Sequence, residues 1–492
     1  MFGEDSDSEE DDYKGLSSTE TAARLRVAAN DCATSLQSHT EQILPYAEVK
    51  DNIVEIGGGR GVFAKMNLQP GCLVMSEISS IEFRDSSDLD DPSEFIHTVE
   101  EIIKDQKAKD CCSVLHPISI NFVSKEDIER MRSTWNEEAL ISTADRLQCS
   151  QEEIIRVGLA LQHNGFSSGL YHTLTKVNHS CFPNCIKFKP TAQSNWASEI
   201  WTTRPVREGE ELTICYCEPM EMTTRSMREY LFTQHRFTCL CELCTSLKIS
   251  HELSLDANSS LVELDRKQDM LSMAERELSF ISIEEHNDRL RICKKMIALG
   301  EKSLLKDIDS MFAQCSKGDT AKEIVMVRSL KVMKIRVLKH LVQAAAVSIE
   351  SYSQTHGVKK SVLFAALCTY VGASNSLLGL QKEVLGDDHC DLGTTYADLA
   401  EGLQCLLAST SIGGKLSSSS NMCLPQDIAQ KLQAPPYAFE AVSDYNRFKN
   451  MMSTAETEAR RLKALYNTRL KYPEALVALR ESGDVFWGGE KP

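Results

Sequence analysis

Cys239-Leu240-Cys241-Glu242-Leu243-Cys244 places three thiols within six residues of chain. Thiolates at such intervals converge on one ion, and Zn²⁺ takes four ligands of this kind in a tetrahedron. The segment supplies only three, so a fold that uses it must bring a fourth from a distant part of the sequence. Two candidates, Cys181 and Cys185, stand in Asn178-His179-Ser180-Cys181-Phe182-Pro183-Asn184-Cys185. The competing reading is a chance cluster, since buried cysteine also serves as a small hydrophobe. The chain carries 18 cysteines in all, and in a chain read as intracellular they point to reduced thiols and metal ligation before disulfides.

The texture around these segments divides the chain. From about Ile53, short β-forming runs (Asn52 to Ile56, Cys72 to Met75) alternate with Gly57, Gly58, Gly59, Gly61 and Pro70-Gly71, which predicts a small β-rich domain. Residues 92–163 turn helical, with acidic starts such as Ser124-Lys125-Glu126-Asp127. β character returns at Cys185 to Phe188, Glu199 to Thr203 and Glu211 to Tyr216, so a helical block interrupts one β domain. From His251 to Arg480 helices dominate. Thr320-Ala321-Lys322-Glu323 reads as a capping box before apolar residues at helical spacing, and further long patterns run from Lys360 to Leu385 and Asp391 to Leu407. Ser409 to Ser420 reads as a flexible break. Antiparallel helix pairs stacked as a solenoid fit this pattern, and without a clean 34-residue period the tetratricopeptide label is an approximation. Glu4 to Asp12 is nearly all acidic and reads as a disordered tail, followed by a helix over Thr19 to Ser38.

At 492 residues, with 42% hydrophobic and 25% charged residues, the chain has the composition of a soluble protein of two or more domains. No run of about 18 apolar residues stands out, so no spanning segment is expected. The acidic start lacks the regions of a signal peptide. The formal charge of −17 argues against nonspecific nucleic-acid binding and suits a cationic protein substrate, although solubility alone also accounts for it.

Other segments are weaker taken singly. Gly57-Gly58-Gly59-Arg60-Gly61-Val62-Phe63-Ala64 has no following Gly-Lys-Ser/Thr and opens no helix, so it is neither a P-loop nor a dinucleotide fingerprint. Glu208 to Tyr216 is a turn entering a buried strand, in which Tyr216 alone reads as a core aromatic. His179 alone reads as a hydrogen-bonded structural histidine.

In order along the chain, Gly59 to Ala64, Asn178-His179-Ser180-Cys181, Gly209-Glu210-Glu211-Leu212-Thr213-Ile214-Cys215-Tyr216 and the trailing cysteines resemble a SET domain with its post-SET zinc segment. The resemblance covers about residues 50 to 245 and is nearest the SET-and-MYND proteins, which share the helical insertion, the Cys-x-Cys-x2-Cys and a helical C-terminal half. It implies an α+β fold: a β-rich SET core with helical insertion and post-SET zinc segment, then an all-α solenoid-like, tetratricopeptide-like C-terminal domain. The implied boundaries are an acidic tail at 1–18, a helical segment at 19–50, a SET domain at 51–218 with its insertion at about 92–163, the zinc segment at 219–250, helices over 251–480 and a tail at 481–492.

The resemblance also implies a protein-lysine N-methyltransferase using S-adenosylmethionine and one structural zinc. Gly59, Arg60 and Gly61 would line the donor pocket, and Asn164, which closes the insertion, would contact the donor. Asn178 and His179 would hold it by side-chain and backbone hydrogen bonds. Tyr216 would be the active-site tyrosine, and Phe237 would stack on the adenine. Cys181, Cys239, Cys241 and Cys244 would hold the zinc, leaving Cys185 a structural thiol. The chain departs from the pattern in two places. Ser76 to Lys109 has no cysteine and a single histidine, His97, so the MYND zinc finger is absent. His235 stands where relatives often carry an aromatic residue, which bears on the width and polarity of the lysine channel. The partners implied are a protein or peptide lysine and further proteins on the helical half, with neither nucleic acid nor membrane bound and the chain monomeric. The location implied is cytoplasmic, nuclear or both. The alternative is a catalytically weak SET-domain adaptor that binds partners through its helical half.

Overall fold

The computed structural model describes residues 41–43, 45–53, 59–81, 92–216, 228–241, 244–245, 255–315, 321–355, 360–410, 430, 432–434, 436–437 and 445–466. The acidic tail, the Thr19–Ser38 helix, the Thr320 cap, residues 411–420 of the serine-rich break and the final tail lie outside them. The chain divides into two units, one of Met1–Asn178 with Asn184–Leu212 and one of His179–Pro183 with Thr213–Pro492.

Eight strands are described: β1 (Glu41–Ile43), β2 (Ala47–Ile53), β3 (Gly59–Ala64), β4 (Leu73–Glu77), β5 (Asn178–His179), β6 (Cys185–Phe188), β7 (Ser198–Thr202) and β8 (Glu211–Ile214). They form two sheets, ordered β1–β4–β7–β6 and β2–β3–β8–β5. In the first all neighbours are antiparallel, and Met75 pairs with Ile200 at its centre. β7, Ser-Glu-Ile-Trp-Thr, is buried at every position, as a strand in the middle of a covered sheet must be. In the second sheet β3 pairs with β8 through Val62 opposite Leu212 and Phe63 opposite Glu211.

Five helices interrupt the strands: α1 (Pro92–Lys104), α2 (Gln106–Ser113), α3 (Lys125–Thr134), α4 (Glu137–Leu147) and α5 (Gln151–Asn164). Their starts follow from capping chemistry. Asp105, Ser124, Asn136 and Ser150 each accept the N–H of the residue three positions on, at 2.7–3.1 Å, and acidic residues fill the first turns of α3, α4 and α5. The apolar faces close on one core in which Val99, Ile102, Ile154, Ile155 and Leu159 are fully buried.

The return from α5 to β5 is fixed by a buried carboxylate. Glu77, 2% exposed, accepts the N–H groups of His172, Thr173 and Leu174 at 2.6–3.1 Å. Charge-assisted bonds of this kind offset the desolvation of a buried carboxylate. Gly169 makes the approach possible: its φ is +134°, and a Cβ there would lie 2.2 Å from the Ile81 carbonyl oxygen.

The second unit is helical: α6 (Leu255–Ser279), α7 (His286–Leu299), α8 (Leu305–Cys315), α9 (Ala321–Gln354), α10 (Lys360–Leu385), α11 (Cys390–Thr410) and α12 (Tyr445–Leu465). Consecutive helices from α9 to α12 pack as neighbours, and α7 packs on α9. The described residues thus form a β core and a largely helical remainder. One expectation is corrected here. Among the described residues, Ser361–Leu385 is long and apolar enough to cross a membrane, a run the sequence was not expected to hold, with mean hydropathy 1.5 over an 18-residue window; 67% of that window is buried among its neighbours, as in a core helix.

Candidate functional site

In the first unit β3 opens on Gly59-Arg60-Gly61. Asn178 donates from Nδ2 to the Arg60 carbonyl oxygen and to Glu211 Oε1, both at 2.7 Å. These bonds use both amide hydrogens and leave Oδ1 as an acceptor. A Cβ on residue 61 would lie 2.6 Å from Glu211 Oε1 and 3.3 Å from Asn178 Nδ2, so glycine is what lets the strand and the amide approach. Burial pushes the Glu211 carboxyl up, and the Asn178 bond partly opposes it. Arg60 Nη2 donates to the Val114 carbonyl at 3.2 Å. Asn164 donates to the His116 and Ala160 carbonyls at 2.6 and 2.7 Å, tying the end of α5 to the same loop. His116 itself is pushed below the ordinary histidine range by burial and then by the Arg60 charge.

A groove of about 500 Å³ near Asn67 and Arg207 contains none of these residues. It lies between two turns, where Glu208 N already donates to Asn67 Oδ1 at 3.0 Å.

In the second unit Cys181, Cys239, Cys241 and Cys244 bring four Sγ atoms within 4.8 Å of one another. Cys185 is elsewhere, buried in β6 of the first unit. Zn–S bonds of about 2.3 Å in a tetrahedron set sulfurs roughly 3.8 Å apart. Cys181 Sγ stands 3.9 Å from Cys239 Sγ and 3.5 Å from Cys244 Sγ, so the residues fit the ion. Four adjacent thiols cannot all ionise alone. Hydrogen bonds from Cys181, Cys241 and Cys244 hold Cys239 below the thiol range, and Cys181 is correspondingly held above it. A divalent cation removes that conflict by stabilising every thiolate.

Around the thiols pack Leu231, Val332, Phe182, Cys215, Tyr216, Phe237 and Val384. Val332 is on α9 and Val384 on α10, so this helix pair buttresses the cluster, and the Arg328 guanidinium lies 4.7 Å over the Phe182 ring. A π-type turn at Leu231–His235 ends on Arg236 in the left-handed region, φ 58°. Such turns recur at functional sites because they re-aim side chains. Tyr216 is met by three rings, with centroids 5.1 Å away for His235, 5.4 Å for His179 and 6.3 Å for Phe237, the last edge-on at 84°.

His179 Nδ1 accepts the Tyr216 N–H at 3.0 Å, and its Nε2 is 3.2 Å from Cys181 Sγ. Burial lowers the His179 pKa, but hydrogen bonds and charge from the Cys215 and Cys239 thiolates raise it further, to about 9. A protonated ring would turn an Nδ1–H toward the Tyr216 N–H, donor against donor. The neutral ring is the form this geometry fits, and a cation on the thiolates removes the upward pull.

The sequence motifs thus fall into two groups. Gly59, Arg60, Gly61, Asn164 and Asn178 belong to the first unit, and His179, Tyr216, Phe237 and the four thiols to the second. The sequence reading gave no role to Glu211, Val114 or His116, nor to the Val332 and Val384 buttress. Glu211 stood inside a quoted motif, but nothing local marked it as the partner of Asn178.

Residues 59–217 match the SET domain family. This part of the chain is a SET domain, and the chain is similar to SMYD and SET5 histone-lysine methyltransferases. Mouse histone-lysine N-methyltransferase SMYD3 is 40% identical over 77 residues, 15% of this chain and 17% of that protein. Histone-lysine N-methyltransferase SET5 of Meyerozyma guilliermondii is 27% identical over 137 residues, 27% of this chain and 28% of that protein. A SET domain-containing protein of Dictyostelium discoideum is 32% identical over 89 residues, 18% of this chain and 21% of that protein. The matched stretches therefore span less than a third of these relatives. The solved structure of Rubisco LSMT bound to sinefungin and monomethyllysine gives a TM-score of 0.29 at 11% identity, covering 69% of this chain and 99% of that one. At that score nothing extends from it to this chain.

Proposed function

We propose that this chain is a protein-lysine N-methyltransferase that uses S-adenosylmethionine, holds one structural zinc, and acts on a histone or non-histone protein lysine. The observation that carries the reading is the SET-family match over the segment that contains both Asn178 and Tyr216. When bound, the donor supplies an activated methyl group on a sulfonium.

The chain's residues then have separable tasks. Asn178, its amide hydrogens already engaged by Arg60 and Glu211, keeps Oδ1 as an acceptor for the donor's amino group. Gly59 and Gly61 permit close backbone approach, and Asn164 with the Arg60–Val114 bond closes the insertion onto the same strand. Phe237, packed in the thiol cluster, offers its ring to the adenine. Free lysine has a pKa of about 10.4, and its amine must be neutral to accept a methyl group. Desolvation between aromatic rings lowers that value. The Tyr216 hydroxyl orients the amine, acting by position and electrostatics. Zinc held by four thiolates has no open position, so its part is structural. The helical unit, tetratricopeptide-like in pairing, buttresses the zinc segment and offers a surface for partner proteins. The net charge of −17 favours a cationic substrate. The protein works as a monomer in cytoplasm, nucleus or both, without binding nucleic acid or membrane.

Incubating full-length protein with tritiated donor and a lysine-peptide library tests this. Transfer to lysine, reduced about 100-fold by Tyr216→Phe, supports the reading. Donor binding without transfer to any peptide or histone supports the adaptor alternative instead.

A further inference from the structure

Within the second unit the His179 side chain meets both a member of the thiol cluster and the Tyr216 backbone. Its ring is buried, with the residue 8% exposed. The Tyr216 amide hydrogen points at Nδ1, so Nδ1 carries a lone pair. In a neutral imidazole the proton must then be on Nε2. Nε2 is 3.2 Å from Cys181 Sγ, which makes the contact an N–H···S hydrogen bond donated to a cluster sulfur.

We infer that His179 is a positioning residue, whose imidazole ties the zinc-thiolate group to the backbone of Tyr216. This rests on reading the four thiols as a zinc site and Tyr216 as the active-site tyrosine. The backbone already brings the two strands together, with Ser180 N donating to the Ile214 carbonyl at 2.9 Å. The imidazole adds a link from the metal group to the residue that carries the hydroxyl. Its ring also stands 5.4 Å from the Tyr216 ring, filling one side of the tyrosine's setting. With both ring nitrogens engaged, the part of His179 in donor binding falls to its backbone.

Hydrogen bonds to metal ligands orient them and tune the bond, and removing such a partner costs roughly 10–100-fold in metal affinity or activity. The thiolate accepting the Nε2–H bond is steadied in the same way.

The test uses the full chain with ¹⁵N-labelled histidine and ¹¹³Cd in place of zinc. The resonance missing from His179→Ala identifies the residue. The expected result is a neutral Nε2–H tautomer whose Hε2 couples to cadmium through sulfur. An Nδ1–H tautomer, an imidazolium, or an Nε2–H without that coupling overturns the inference. In the zinc form, His179→Ala should lose metal to a chelator at least tenfold faster and lower kcat more than it raises KM for the donor. An unchanged release rate counts against the link. Should His179→Ala not fold, the residue is assigned by selective labelling and the wild-type spectrum decides. If wild type transfers no methyl group, the functional reading fails while the tautomer and coupling still settle this one.

Discussion

Among the described residues of the second unit, two places gather candidate metal ligands within 4.8 Å: Cys181, Cys239, Cys241 and Cys244, and the consecutive residues His389, Cys390 and Asp391. They look alike by proximity and differ in chemistry. In the first, the ligand atoms bond chiefly to one another, with single N–H contacts at the edge from His179 and from the Cys241 amide to Cys239 Sγ. In the second, each ligand already has an occupation. His389 Nδ1 accepts the Asp391 N–H at 3.2 Å, and Asp391 is paired with Lys339 at 2.5 Å. The Cys390 thiol is pushed well above its ordinary range by burial and the Asp391 charge, so it stays protonated. The first group fits a cation, and the second is a helix start with its own ion pair. Nearness is therefore a weak criterion, and what each ligand atom already bonds to is the stronger one.

The sharpest way to break the comparison is to remove a thiol. Cys239→Ser should lose the zinc and unfold the segment around Phe237, because structural Zn²⁺ sites are worth about 10–16 kcal/mol in zinc-finger peptides. Metal analysis after gel filtration should read one zinc per wild-type chain and none in the variant.

A second effect belongs to α11, where two aspartates seven residues apart titrate in opposite directions. Asp398 is raised to about 7, by burial, with the Tyr370 hydrogen bond opposing and the Glu401 charge assisting. Asp391 is lowered to about 2, the Lys339 charge and then those around it overcoming burial. For Asp398 the native state binds the proton more tightly than the unfolded chain, so stability falls as pH rises from about 4 to 7 and is flat above. The change is at most about 4 kcal/mol, and Asp398→Asn should flatten it in denaturant titrations across that window. For Asp391 the sign reverses: its contribution is present above pH 3.8 and is lost as pH falls toward 2.

Lys339→Met should leave Asp391 without its partner. The carboxylate keeps 33% of its side-chain surface, so we expect a loss of about 1–2 kcal/mol, below that of a fully buried pair. Zinc content should stay at one. Smallest of all, Cys390→Ala should cost about 1 kcal/mol of packing and leave the zinc content unchanged by metal analysis. A second zinc in wild type that Cys390→Ala removes would erase the distinction.

Much of the architecture was legible because its signals are local. Polar caps with acidic first turns marked α3, and the spacing of Cys239, Cys241 and Cys244 required a distant fourth ligand. The α+β character followed from β-forming runs broken by glycine on either side of a helical block. What stayed hidden depends on contacts between remote segments. Spacing alone could not choose between Cys181 and Cys185, which differ in where the chain carries them. The Asn178–Glu211 bond, the Glu77 carboxylate beneath residues 172–174 and the Val332–Val384 buttress join parts of the chain with no shared motif. His179 read as a structural histidine or a donor contact, and its two actual partners became visible only when Tyr216 and Cys181 were placed on either side of the ring.

The measurement that tests the account most directly is calorimetric titration of S-adenosylmethionine into the zinc-loaded chain and into the same protein stripped by chelator. The account predicts micromolar binding with zinc, and its loss both on stripping and in Phe237→Ala. Equal binding by loaded and stripped protein would contradict the claim that the thiol cluster holds the donor site together, and no binding by folded, zinc-loaded protein would contradict the methyltransferase reading itself.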